Sequence, residues 1–164
     1  MNIFFLDRDI ATSAKMHCDK HVVKMILEYA QLLSSAHHIA GIPLEGIYKK
    51  THINHPCAVW VRQSTSHYEY LFNLMHSLMH EYTYRYGKHH ATERLLPLLN
   101  EKPRFMNQMH WNDPPQCMPD QYKKACVVDA YRHYYIGEKH SFAKWKNRDV
   151  PFWYRPVDNE AILS

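Results

Sequence analysis

A mainly α-helical fold in a single compact domain is what this chain of 164 residues predicts. Three observations carry the prediction. Apolar residues recur at helical spacing over long stretches, as in Val22, Ile26, Tyr29, Leu33 and Ala36. Glycine and proline fall between those stretches, where they stop helices. Only one short run, Asn2 to Leu6, suits an extended segment. The length fits one domain, 1–164, with a core of useful size. The expected architecture is three or more helices, a short N-terminal extended segment, an irregular loop over 100–121 and a C-terminal tail over 155–164.

Along the chain, Asn2–Leu6 reads as a short strand or extended lead-in. Asp9, Thr12 or Ser13 can cap a first helix that runs to about His38 and stops at Gly41-Ile42-Pro43. The link from Pro43 to Asn54 is polar and basic. Asn54 then reads as a cap with Pro56 in the first helical turn. The helix that follows reaches about Tyr86, stops at Gly87, and has a weak point near Ser64-Thr65-Ser66. Trp60, Leu71, Leu74, Leu78 and Tyr82 form its buried stripe. A short amphipathic segment spans Ala91 to Leu99. Prolines 103, 114, 115 and 119 forbid a long helix over 100–121. A last helix is expected from about Gln121 to Lys146, with a possible break at Gly137.

Composition narrows the class. Hydrophobic residues make up 46% and charged residues 22%, as in ordinary globular proteins. A formal charge of +4 permits a polyanionic partner without demanding one. The four cysteines form no C-x-x-C pair, which argues against a zinc ribbon or a disulfide scaffold. No signal peptide or membrane-length apolar run is visible, so a reduced, intracellular, soluble protein is expected, with no membrane partner. The sequence carries no signal for oligomeric state.

Three clusters can carry chemistry. The first is a polar row on helix one: His17, His21, Lys24, Glu28, Gln31 and Ser35, with Asp19 and Lys20 beside its start. Crowded cations favour a neutral amine, a nucleophile for Schiff-base chemistry. Glu28, one turn beyond Lys24, suits an acid, a base or a stabiliser of a developing cation, and equally suits an ordinary ion pair with Lys24. The second is a basic–aromatic run in which Arg132, Lys144, Lys146 and Arg148 interleave with aromatics, Trp145 being the candidate for base stacking. The third is T-H-x-N-H-P-C, where Asn54 and His55 stand at a helix start suited to an anion, flanked by Lys49, Lys50 and Arg62. His76 and His80 have the spacing of paired metal ligands but no third ligand motif.

The order of these blocks matters: M-N-x-F at the start, D-K-x(3)-K-x(3)-E from Asp19 to Glu28, N-H-P-x(3)-W from Asn54 to Trp60, Y-R-x-Y-Y from Tyr131, and a Pro-then-Trp end. Together they resemble the pyrimidine-dimer DNA glycosylases of the endonuclease V type, over roughly residues 1–90 with echoes at 131–154. The whole chain is also similar to proteins common in tailed-phage genomes, which implies the cytoplasm of a bacterial host. The resemblance implies a compact helical fold that grips damaged or modified double-stranded DNA and works as a glycosylase/AP-lyase without cofactor or metal. An amine attacks C1′ of the nucleotide, and a helix-one carboxylate, here Glu28, stabilises the cationic sugar. Relatives use the α-amine of a small residue exposed by removal of the initiator Met. Residue 2 here is Asn2, whose bulk leaves Met1 in place. An α-amine has an ordinary pKa of about 7.7–8.0 against about 10.4 for lysine. Met1, Lys24 and Lys20 all stand as nucleophile candidates, with Asp19 as support. A non-catalytic phage protein binding nucleic acid or a host factor is the main alternative. A His-rich metalloprotein, built on His17 and His21 with His52, His55 or the His76/His80 pair, is the second.

Overall fold

The computed structural model describes residues 1–41, 44–104 and 110–155. Residues 1–7 lie outside any helix, and no strand occurs among the described residues. They form a lead-in threaded through the core: Ile3, Phe4, Phe5 and Leu6 are all buried. A buried backbone without a ladder needs other partners. Side chains supply them. The Tyr29 hydroxyl accepts from the Phe4 N–H at 3.0 Å, Ser13 Oγ from Leu6 N–H at 3.4 Å, and Arg132 Nε donates to the Leu6 carbonyl at 2.8 Å.

Helix one is two helices. α1 spans Ile10–Met16, capped by Asp9, which accepts from Thr12 N–H at 3.0 Å. α2 spans Asp19–Ile39. The chain turns at His17 and Cys18, both extended, because Arg85 captures the carbonyls there. Its Nη1 donates to His17 O at 2.8 Å and its Nη2 to Lys15 O at 2.9 Å. Gly41, in the left-handed region, follows α2; Ile42 and Pro43 of the expected stop lie outside the described residues.

α3 covers Pro56–Gln63 and α4 Thr65–Tyr86, divided at Ser64 as the weak point predicted. Ser64 caps α4 through Ser66 N–H at 3.1 Å. The cap of α3 is His55, not Asn54: its Nδ1 accepts from Cys57 N–H at 3.1 Å. Gly87 ends α4 at φ 67°. The Ala91–Leu99 segment is a 3₁₀ turn, Ala91–Leu95, running into the short α5, Leu96–Leu99. The last helix is shorter than expected: α6 is Val127–Glu138, after a 3₁₀ turn at Asp120–Tyr122, and Gly137 lies inside it.

α2 packs on α3 and α4, and α1 on α4. Every residue of the expected α2 stripe is buried, as are Trp60, Leu71, Leu74 and Leu78. The described part of the irregular stretch is laid over this core and tied down. Trp60 Nε1 donates to Asn112 O at 3.0 Å, Asn112 N–H to His67 Nε2 at 3.1 Å, and the Tyr131 hydroxyl to Pro115 O at 2.5 Å. Residues 105–109 of that loop and 156–164 of the tail lie outside the described residues. No described helix is long and apolar enough to cross a membrane.

Candidate active site

The expected polar row is broken by the turn and splits by burial. His17 closes α1 and is buried in the core, whereas His21, Lys24 and Glu28 on α2 line a cavity of about 480 Å³, His21 as a buried wall residue. Threading of the lead-in brings Met1 to that cavity's wall, and the Asn2 amide fixes it there by donating to Cys117 O at 2.7 Å. The remaining walls are Phe4, His21, Met25, Cys117, Met118, Pro119, Tyr134 and Lys139.

One carboxylate sits between two amines. The Met1 amine is 3.8 Å from Glu28 Oε1, and Lys24 Nζ is 3.8 Å from Oε2. Both contacts are too long for hydrogen bonds, and Oε2 is buried with no hydrogen-bond partner. The side chains differ in exposure: that of Met1 is 6% exposed, that of Glu28 17% and that of Lys24 60%. The ion pair anticipated from spacing therefore exists, but it is loose and shares its acid with the α-amine.

The histidines are neutral framework. Burial pushes the His21 imidazole down to about 2, helped by nearby His17 and lysine charges. Its ring stacks on Phe4 at 4.3 Å and its Nδ1 meets the Tyr135 hydroxyl at 2.5 Å. Burial holds His17 at about 4; its Nδ1 meets Ser13 O at 2.6 Å and its Nε2 the Tyr29 hydroxyl at 3.1 Å. Neither reaches His52 or His55 in a ligand group among the described residues, and the same holds for the His76/His80 pair, whose rings lie 4.8 Å apart.

Asp19 and Lys20 are not part of the cavity wall. Asp19 accepts from Arg85 Nη1 at 3.0 Å and from Lys146 N–H at 2.8 Å, and Lys20 Nζ lies 4.4 Å over the Phe142 ring. The residues expected to contact nucleic acid divide as well. Lys49, Lys50, Asn54, Lys144 and Lys146 are exposed. Arg62 donates to Ile53 O at 2.6 Å, Arg132 binds Asp7 at 3.1 Å, and Arg148 binds both oxygens of Glu81 at 2.8 and 3.1 Å. His55 is half-buried as a cap. Trp145 is buried and donates to Met16 O at 2.8 Å, so its indole is a packing element without a free face for a base.

Neither Tyr134, part of the Y-R-x-Y-Y segment, nor Lys139 stands out in the sequence as a site residue. Lys139 Nζ sits 4.6 Å over the Tyr134 ring, and both line the cavity with Lys24. Nothing local in the sequence marks Cys117, Met118 or Pro119, because their place depends on how the irregular stretch returns to the N-terminus.

The model of the family described as pyrimidine dimer DNA glycosylase matches residues 1–94, more than half of the 164 residues. No curated protein and no solved structure matches. The matched part contains α1 to α4 and, within them and the lead-in, Met1, Lys24 and Glu28. With its helical architecture and its N-terminus drawn into a carboxylate-bearing cavity, the chain belongs to the pyrimidine dimer DNA glycosylase family.

Proposed function

We propose that the protein is an amine-dependent DNA glycosylase with AP-lyase activity, acting on damaged or modified pyrimidines in duplex DNA. The family implies DNA as the substrate. The observation that carries the finer reading is the convergence of the Met1 amine and Lys24 Nζ on the two oxygens of Glu28 in one cavity.

Of the two amines, the one on the anchored backbone suits the nucleophile. Met1 is confined by the Asn2–Cys117 hydrogen bond, whereas Lys24 reaches into solvent. Positioning an amine beside the carboxylate that stabilises the developing cation lowers the entropic part of the barrier. In its unprotonated form the Met1 amine bonds to C1′ as the bond from C1′ to the base breaks, and the base leaves with a proton from that amine. Ring opening, with a proton delivered to O4′, leaves an iminium between Met1 and C1′. Loss of the C2′ proton to a base then expels the 3′ phosphate, and water releases Met1. The buried, unpartnered Oε2 of Glu28 supplies fixed negative charge where the sugar becomes cationic. Lys24 and Lys139 bring positive charge suited to the flanking phosphates. Extruding a nucleotide costs least at a damaged pair, which gives selectivity before any contact with the base.

Borohydride reduction during incubation with DNA carrying an abasic site, or with ultraviolet-irradiated DNA, tests this. A covalent protein–DNA adduct mapped by peptide sequencing to Met1 is the expected result. An adduct on Lys24 overturns the assignment of the amine, and absence of any adduct from pH 5 to pH 9, on the order of the span over which amines of this class titrate, overturns the mechanism.

A further inference from the structure

We propose that His55, Cys57 and Cys117 form a binding site for a thiolate-seeking divalent metal ion such as Zn²⁺. The metal reading of the sequence centred on histidine pairs; the folded chain instead assembles a mixed set from two places 60 residues apart. One ligand atom from each of the three residues lies within 4.8 Å of the others. The two sulfurs are 3.8 Å apart. Two Zn–S bonds of about 2.3 Å at the tetrahedral angle hold sulfurs about 3.8 Å apart, so the thiols need not move to share an ion.

The surroundings suit the ligands. Cys57 is fully buried at the start of α3, and Cys117 is half-buried in the segment that the Asn2 amide and the Tyr131 hydroxyl hold in place. The His55 Nδ1 accepts from the Cys57 N–H, so that nitrogen is unprotonated, the state a metal requires. Ligation through it replaces the cap bond. Each thiol gives up one proton on binding, and the two thiolates balance the two charges of the ion. Three protein ligands leave the fourth tetrahedral position to a water or another donor. The ion would cross-link the N-terminus of α3 to the 110–118 segment, clamping the wall of the cavity that carries Cys117. The site adjoins the amine, since Cys117 lines the same cavity as Met1 and the N-terminal charge acts on all three ligands, but its readout is independent of any activity.

Titration of the full-length, reduced protein with Co²⁺, followed by displacement with Zn²⁺, provides the test. A thiolate-to-cobalt charge-transfer band with tetrahedral visible bands, saturating at a single equivalent, is expected. Cys117→Ser should lose the charge-transfer intensity from one sulfur and weaken Zn²⁺ binding by about 100-fold or more, since even partners behind a ligand are worth 10–100-fold. His55→Asn, which retains a capping acceptor, should keep the charge-transfer band and bind more weakly. Circular dichroism of each variant establishes that it is folded. Absence of the band in the reduced wild type, an unchanged band in Cys117→Ser, or unchanged affinity in His55→Asn would each overturn the site.

Discussion

At the scale of single residues, the chemistry turns on which groups are held and which are solvated. Glu28 is held, with one oxygen buried and both amines at 3.8 Å. Glu28→Gln preserves shape and removes charge, so single-turnover excision should fall by about 10²–10³-fold while binding to damaged DNA persists. Adding one residue ahead of Met1 displaces the α-amine from that carboxylate and should abolish borohydride trapping without unfolding the protein. Lys24 extends into water, and Lys24→Gln should lower affinity only several-fold and reduce the salt slope of binding by about one unit. Trapping yields and salt-dependent binding isotherms on the same variants distinguish these outcomes. A Lys24→Gln variant that cannot be trapped would mean that the lysine is the nucleophile.

At the scale of elements, one buried arginine organises the helical junctions. Arg85 on α4 bonds Glu81 at 3.0 Å and Asp19 at 3.0 Å, besides the two carbonyls at the turn between α1 and α2. Arg85→Met would strand those carbonyls and leave Asp19 with the Lys146 N–H, and chemical denaturation should show a loss of about 3–5 kcal/mol. Lysine should not rescue it, lacking the planar fork that serves several acceptors at once. A second test concerns α6. A Cβ at Gly137 would clash with the Tyr122 ring, which covers it and whose hydroxyl donates to Glu138 at 3.0 Å. Gly137→Ala should therefore destabilise by about 1 kcal/mol through displacement of that ring. In a Tyr122→Ala background the same change should stabilise by about 0.5–1 kcal/mol, the ordinary helical preference for alanine. Additive effects in the double-mutant cycle would contradict the contact.

At the scale of the whole molecule, buried neutral histidines make the fold acid-sensitive. Once unfolded, an imidazole takes a proton below about pH 6.5, whereas folded His17 resists protonation until about 4 and His21 until about 2. The unfolded chain therefore binds more protons below neutrality, and stability falls as pH drops from 6.5 toward those values. Each of the two should cost about 2 kcal/mol at pH 5, a large share of a typical domain's 5–15 kcal/mol. At lower pH Glu81 adds to the loss. Burial alone would raise its carboxyl, but Arg148 and Arg85 outweigh burial and hold it below the usual range, so its contribution is present near neutrality and disappears on acidification. Urea midpoints at pH 7 and pH 5 should differ markedly, and His17→Gln should flatten the dependence. A pH-independent midpoint would contradict neutral burial of both rings.

Periodicity and punctuation were enough to read α2 and α4, but not the division of helix one or the extent of α6. The α2 stripe, the break at Ser64, the stop at Gly87 and the Lys24–Glu28 spacing are local properties of the chain, fixed by helical geometry and by what glycine and serine do to a backbone. The family resemblance rested on motifs of the same local kind, and the family match over 1–94 agrees with it. What local pattern leaves open is decided by partners far along the chain. The turn at His17–Cys18 has neither glycine nor proline and exists because Arg85, 68 residues away, binds the carbonyl of His17. His55 rather than Asn54 caps α3, and Trp145 packs inward on Met16. The cavity itself joins Met1, Glu28, Cys117 and Tyr134, a grouping that no sequence spacing encodes. The sequence by itself determined that helices form and that a lysine and a glutamate share one face. Only tertiary structure brought the α-amine to that glutamate, because the buried lead-in has no ladder of its own and takes its course from the side chains that satisfy its backbone.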